Sequence, residues 1–240
     1  MNLVIDIGNS RCKIAIFKSS EMIYNEVITK DNFIKKISKL IINFNCNRAI
    51  ISSVGFIKKS ELDELETKID LIKLNPSTKI PFLNKYSTPN TLGVDRIALV
   101  SSAVSKYPDK NVLIIDAGTC ITYDFVNNEK QYLGGAISPG IKMRYNALHE
   151  FTQNLPLIEP ENVFSLIGNS TEKCIHSGVI NGVIIEIDGV INEYLEKNQD
   201  LTVVLTGGDV KFLSNKLKNG IFANPFFLLE GLNTILTYNL

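Results

Sequence analysis

Two hydrophobic periods alternate along this chain. Leu3-Val4-Ile5 is a continuous apolar run, and beyond residues 6–10 Cys12, Ile14 and Ile16 alternate with Lys13 and Ala15. This pattern predicts a buried strand, a turn and a return strand. Asp31 is placed to cap a helix whose apolar positions Phe33, Ile34, Ile37, Leu40, Ile41 and Phe44 recur at helical spacing. Ala49-Ile50-Ile51 reads as a second buried strand, and Ser60 with Asp63 as a capping box ahead of Leu62, Leu65 and Ile69. Pro76, Pro81 and Pro89 interrupt the pattern with an irregular stretch. Helical spacing resumes at Ile97, Val100, Ala103 and Val104 and stops near Pro108.

The second half repeats the alternation. Residues 112–115 predict a strand, and the glycine-rich segment 134–140 a loop. Thr171 reads as the N-cap of a long helix through Ile175, Val179, Val183, Ile187, Ile191 and Leu195. Gly178 and Gly182 on that helix each cost about 1 kcal/mol relative to Ala, which close packing against another backbone would explain. Val203-Val204-Leu205 runs into Thr206-Gly207-Gly208-Asp209, and a last amphipathic helix covers about residues 227–236. Strands alternating with helices in both halves predict an α/β fold.

Two strand ends nearly match. Leu3-Val4-Ile5-Asp6-Ile7-Gly8-Asn9-Ser10 and Leu113-Ile114-Ile115-Asp116-Ala117-Gly118-Thr119-Cys120 both end an apolar run in Asp-x-Gly and a small polar residue. Glycine lets backbone amides approach an anion, and the Asp can hold a cation that bridges phosphate oxygens. One such turn alone is more simply an ordinary hairpin. Two at equivalent places, with Thr206-Gly207-Gly208-Asp209 as a third, favour a nucleotide site. Lys13 is a point charge near the first turn. No P-loop and no dinucleotide fingerprint occurs.

Composition narrows the partners. The 240 residues are 45% hydrophobic and carry 25 basic against 25 acidic side chains, a globular chain of zero net charge. That balance gives no support to nucleic-acid binding or an anionic-membrane footprint. The four cysteines form no CxxC pair and only two histidines accompany them, which disfavours structural zinc. Scattered cysteines, no leader pattern and no apolar stretch of membrane-spanning length predict a cytoplasmic protein.

Asp95 and Arg96 follow Gly93-Val94 at a predicted helix start. The functional reading makes Asp95 the acceptor of a hydroxyl proton and Arg96 the anchor of an anionic substrate. The bland reading is an acidic first-turn residue complementing the helix dipole. From the residues alone Tyr86 reads more simply as a half-buried aromatic than as a ligand contact, Thr171 as a cap, Cys120 as a small packed side chain, and His149 and His176 as surface or satisfied histidines.

In chain order, Asp6-Ile7-Gly8-Asn9-Ser10, Leu92-Gly93-Val94-Asp95-Arg96, Asp116-Ala117-Gly118-Thr119-Cys120-Ile121-Thr122-Tyr123-Asp124, Gly134-Gly135-Ala136-Ile137-Ser138-Pro139-Gly140 and Thr206-Gly207-Gly208-Asp209 resemble type III pantothenate kinase, of the acetate and sugar kinase, Hsp70 and actin superfamily. The resemblance implies two ribonuclease-H-like lobes, residues 1–110 and 111–240, working as a homodimer. It implies phosphorylation of pantothenate with ATP and Mg²⁺, the first step toward coenzyme A, helped by a monovalent cation, K⁺ or NH₄⁺. Carried onto this sequence, Asp6, Ile7, Gly8, Asn9, Ser10, Arg11, Cys12, Lys13 and Thr119 would contact ATP. Asp116 would hold the monovalent cation. Tyr86, Gly93, Val94, Asp95, Arg96 and Thr171 would bind pantothenate, with Asp95 as the base. Ser10 stands where the family has Thr, and Cys120 where a small Ala or Ser is common. Another small-molecule kinase of the superfamily, or a non-catalytic nucleotide-binding regulator, are the alternatives.

Overall fold

The computed structural model describes residues 1–8, 12–29, 33–53, 57–161 and 165–240. In chain order the first elements are β1 (Asn2–Ile7), β2 (Cys12–Lys18), β3 (Glu21–Ile28), α1 (Phe33–Asn43), β4 (Arg48–Ser53), α2 (Lys59–Glu66), β5 (Asp70–Lys73), β6 (Leu83–Asn84) and α3 (Val94–Lys106). Then come β7 (Asn111–Ala117), β8 (Cys120–Val126), β9 (Gln131–Pro139), α4 (Ile141–Glu150), α5 (Thr171–His176), α6 (Gly182–Lys197), β10 (Leu201–Thr206), α7 (Val210–Leu213), β11 (Phe222–Ala223) and α8 (Phe227–Tyr238). This is the expected α/β architecture, with two mixed sheets flanked by helices.

The chain forms two compact units. One comprises residues 1–109, 128–133 and 226–240, the other 110–127 and 134–225. The first unit's sheet runs β3-β2-β1-β4-β5, with β1 antiparallel to β2 and parallel to β4. The second repeats this order as β9-β8-β7-β10-β11, with β7 antiparallel to β8 and parallel to β10. Asp6 and Asp116 therefore stand at equivalent places, near the carboxyl end of a strand lying between an antiparallel and a parallel neighbour. Ligands of open α/β sheets bind at such strand ends.

Burial on both faces explains the apolar runs in the central strands. In the first unit Leu3, Ile5, Ile14 and Ile16 pack with Phe33, Ile37 and Leu40 of α1. The opposite face, with Val4 and Ile50, meets α3 and α8. In the second unit Leu113, Ile115 and Tyr123 pack against Val183, Ile187 and Ile191 of α6.

Several local expectations change. Residues 131–139 form β9 rather than a loop. Its glycines are tolerated because a side chain at Gly135 would strike the Tyr123 carbonyl of the neighbouring strand. The N-cap of α5 is Ser170, whose Oγ accepts the Lys173 amide at 3.3 Å, so Thr171 is the first helical residue. Helix α2 begins one residue before Ser60, and Lys58 N–H donates to Glu61 Oε2 at 3.2 Å. Asp31 lies outside the described residues.

Helices α5 and α6 continue through one π-helical turn at Ser177–Asn181. Ser177 Oγ donates there to the Leu166 carbonyl (2.6 Å) and Asn181 Nδ2 to the Ser165 carbonyl (3.3 Å). Nothing among the described residues lies within 4 Å of where a side chain at Gly178 or Gly182 would begin, so neither serves close packing within the chain. By length and composition the 27-residue helix Thr171–Lys197 could cross a membrane, contrary to expectation. Half of its most apolar stretch is buried, with Ile175, Val179, Val183, Ile187 and Ile191 in the core, as in a core helix.

Candidate active site

In the first unit, strand register sets Lys13 and Ser52 on either side of Asp6. The Asp6 side chain is 7% exposed, and burial pushes its pKa from 3.8 up to about 6. Lys13 pulls it back down, and the Asp95 charge adds to the rise. Ser52 is fully buried, and its hydroxyl has no hydrogen-bond partner among the described residues. A buried carboxyl, an orphan hydroxyl beside it and a second carboxylate felt across the site fit the oxygen donors of a hard divalent cation. Ile7 is buried, Gly8 half-buried, and Cys12 and Lys13 open β2. Asn9, Ser10 and Arg11 lie outside the described residues.

Asp95 sits in the first turn of α3, behind the N-cap Gly93. Its Oδ1 accepts the Arg96 amide at 2.8 Å. That fold-back lays Oδ1 over Gly93, where any side chain would collide with it. Glycine at 93 is therefore what leaves room for the carboxylate. Arg96 is 6% exposed, with its guanidinium carbon 5.6 Å from the Tyr86 ring centre and 6.0 Å from that of Tyr132. Planar guanidinium groups settle over aromatic faces in this way. Of the residues expected at the pantothenate site, Tyr86, Gly93, Val94, Asp95 and Arg96 lie in the first unit and Thr171 in the second.

In the second unit, Asp116 pairs with Thr206 across parallel β7 and β10. Gly207 follows with φ of 99°, a conformation that favours glycine, and a side chain there would strike the Ala117 carbonyl and Asp116 Oδ1. The turn is tied by Gly118 N–H to the Cys120 carbonyl (2.9 Å), Asp209 N–H to the Ala117 carbonyl (3.0 Å) and Gly140 N–H to the Thr119 carbonyl (3.1 Å). Thr119 is exposed, and Asp116 and Cys120 are half-buried. Burial raises the Asp209 pKa, with Lys142 opposing it. The described residues hold no cluster of three or more His, Cys, Asp or Glu side chains suited to a metal.

The exposed Thr171 borders an open apolar cavity of about 710 Å³, shared with Leu148, Leu155, Cys174 and Gly178. Elsewhere in this unit Arg144 Nε donates to the Pro139 carbonyl (2.9 Å), and its Nη2 donates to Ser138 Oγ (2.9 Å) and Glu186. Tyr123 donates to the other Glu186 oxygen at 2.9 Å. Burial alone would raise the Glu186 pKa, but the bonds from Arg144, Ser138 and Tyr123 outweigh it and hold the group below the usual range.

Comparison with known proteins resolves the alternatives. The type III pantothenate kinase family model matches residues 2–193. A type III pantothenate kinase of Christiangramia forsetii is 50% identical, covering 100% of this chain and 99% of its own. The Flavobacterium johnsoniae type III pantothenate kinase is 44% identical, over 100% and 99%. The chain belongs to the type III pantothenate kinase family. Its reaction is accordingly the phosphorylation of pantothenate on the way to coenzyme A, with ATP as phosphoryl donor. Among solved structures, a Campylobacter jejuni protein described as a Baf family transcriptional activator superposes with TM-score 0.66 at 22% identity, covering 99% and 98%. A Listeria monocytogenes protein described as an N-acetylmannosamine kinase superposes with TM-score 0.55 at 11%, again covering 99% and 98%. These likenesses show the fold, that of the sugar kinases and actin-like ATPases.

Sequence reasoning missed three features of this kinase. Ser52 lies in an apolar strand and carries no motif. The Arg144–Glu186–Tyr123 network joins positions far apart in the chain. Tyr132 is fully buried against Tyr86 and Arg96, and its one sequence signal is an aromatic two residues ahead of Gly134-Gly135.

Proposed function

We propose that Asp95 is the general base of pantothenate phosphorylation in this chain. The observation that carries the reading is the α3 head, where Gly93 clears space for the Asp95 carboxylate beside the ring-held Arg96. Arg96 would take the pantothenate carboxylate, with Tyr86, Gly93 and Val94 beside it in the first unit; the resemblance alone adds Thr171 as a substrate contact. As the 4′-oxygen bonds to the γ-phosphorus of ATP, its proton passes to Asp95 and the bond to the ADP oxygen breaks. Late proton transfer suits the loose transition state of phosphoryl transfer.

The turns supply the nucleotide side. Residues 6–13, namely Asp6, Ile7, Gly8, Asn9, Ser10, Arg11, Cys12 and Lys13, would cradle the ATP phosphates together with Thr119. Asp6, with Ser52 next to it, would hold Mg²⁺, which would supply neutralisation of the phosphate charge. The raised pKa of Asp6 supports this, since a carboxyl strained by burial gains most from a cation partner. Asp116 would hold K⁺ or NH₄⁺. The enzyme would be a cytoplasmic homodimer without nucleic-acid or membrane partners. Phe151, Leu157, Leu166 and Ile167, each more than half exposed in the second unit, support an apolar subunit contact.

Purified protein with pantothenate, MgATP and potassium should yield 4′-phosphopantothenate by mass spectrometry, and less with sodium. Asp95→Asn should lower kcat by at least about 100-fold with an unchanged melting temperature. A variant keeping more than about a tenth of the rate would remove Asp95 from the base role.

A further inference from the structure

Tyr86 comes from a segment with little structure of its own. Its nearest regular element is β6, two residues long. That element exists because the start of β9 pairs with it in parallel, Leu83 with Gln131 and Asn84 with Tyr132. The Leu83 amide donates to the Lys130 carbonyl (2.9 Å) and the Lys85 amide to the Tyr132 carbonyl (3.0 Å). Asn84 Oδ1 then accepts the Tyr86 amide at 2.9 Å and turns the chain.

The rings continue what the backbone begins. Tyr132 has no exposed surface. Tyr86 lies near-parallel to it, at 26° with centres 6.0 Å apart, and Phe82 meets it edge-on at 74° and 6.0 Å. The Arg96 guanidinium carbon is about equally far from the Tyr86 and Tyr132 ring centres. One buried ring thus touches both groups that line the acceptor end of the site. A long Arg side chain loses much rotational freedom when it binds a carboxylate, and a stacked guanidinium has already lost it.

We propose that Tyr132 is a positioning residue for the pantothenate site: its ring fixes Tyr86 and pre-orients Arg96 for the substrate carboxylate. The ring contacts shown for it among the described residues are with Phe82, Tyr86 and Arg96, so its effect belongs to acceptor binding. The inference rests on the acceptor-site reading given above.

The test is steady-state kinetics with each substrate varied in turn. Tyr132→Met, which keeps bulk and removes the ring, should raise the pantothenate KM at least 10-fold, with kcat and the ATP KM within threefold. Tyr132→Phe, which keeps the ring, should bring the pantothenate KM back to within threefold of wild type. An unchanged pantothenate KM in Tyr132→Met overturns the proposal. So does a parallel rise of both KM values, with a lowered melting temperature that Tyr132→Phe shares. Should Tyr132→Met fail to fold, Asn84→Ala decides through the same register: a pantothenate-selective rise in KM supports positioning, and its absence refutes it. Arg96→Met separates the two levels. If it too leaves the pantothenate KM unchanged, the acceptor site itself is misplaced; if it raises that KM while Tyr132→Met does not, only the positioning role falls.

Discussion

Asp6, proposed above as a site residue, is a carboxyl that the fold buries at a cost to itself. Its folded pKa of about 6 lies above the 3.8 of an unburied Asp. Between those values the folded chain binds more protons than the unfolded one. Stability therefore falls as pH rises through that window, and the full cost is present above it. At 1.36 kcal/mol per tenfold change in proton affinity, that cost is on the order of 2–3 kcal/mol at pH 7. Asp6→Asn should accordingly raise the melting temperature of the ligand-free enzyme at pH 7.5, and the gain should vanish near pH 4. The same variant should lose turnover. Calorimetry across pH 4–8 checks the sign, and a destabilised Asp6→Asn at pH 7.5 would show that the carboxylate is held by interactions that outweigh its burial.

At the scale of elements, legibility followed locality. β1, β2, α3, β7 and the α5–α6 helix each announce themselves by a pattern that contiguous residues carry, and Asp6, Asp95 and Asp116 sit near the ends of β1, α3 and β7. Strand β9 did not, because Gly134, Gly135 and Pro139 read as loop chemistry, and only the neighbouring Tyr123 carbonyl shows why a side chain is unwelcome there. The same strand end is governed from a distance. Arg144, braced by Glu186, grips the Pro139 carbonyl, and Gly140 donates to the Thr119 carbonyl in the turn proposed to meet ATP. Glu186→Gln keeps the shape but weakens the hold on Arg144 and cannot accept equally at both ends. The expected result is an ATP KM at least fivefold higher with an unchanged pantothenate KM. The Glu186 contribution exists at neutral pH and is lost as pH falls through its depressed pKa, so the mutant and wild type should converge in acid. Equal KM values for ATP at pH 7.5 would confine the network to stability.

For the whole molecule, the most consequential arrangement is one that no local pattern encodes. The last helix is amphipathic, as the sequence reads it, with Glu230, Thr234 and Thr237 on its less buried face, but no local period says where its apolar face docks. It belongs to the first unit, where Phe227, Leu228, Leu229, Leu232, Ile235 and Leu236 are buried and Gly231 lies against the Ala98 carbonyl of α3. Asn233 joins it to the sheet, donating to the Ser19 carbonyl and accepting from Asn2, each at 2.8 Å. Six buried apolar side chains at about 1.5–3 kcal/mol each amount to roughly 9–18 kcal/mol, at least as much as a typical domain's net stability. α3, which carries Asp95 and Arg96, therefore depends on residues more than 120 positions away. A fragment of residues 1–133 should be unfolded or aggregated by circular dichroism and size-exclusion chromatography. Joining residues 226–240 to it through a flexible linker should restore a cooperative urea transition. A fragment of residues 1–133 that melts cooperatively without α8 would show that the first unit's core closes on β1–β5 and α3 alone. The head of α3 would then owe its geometry to Gly93 and its own first turn.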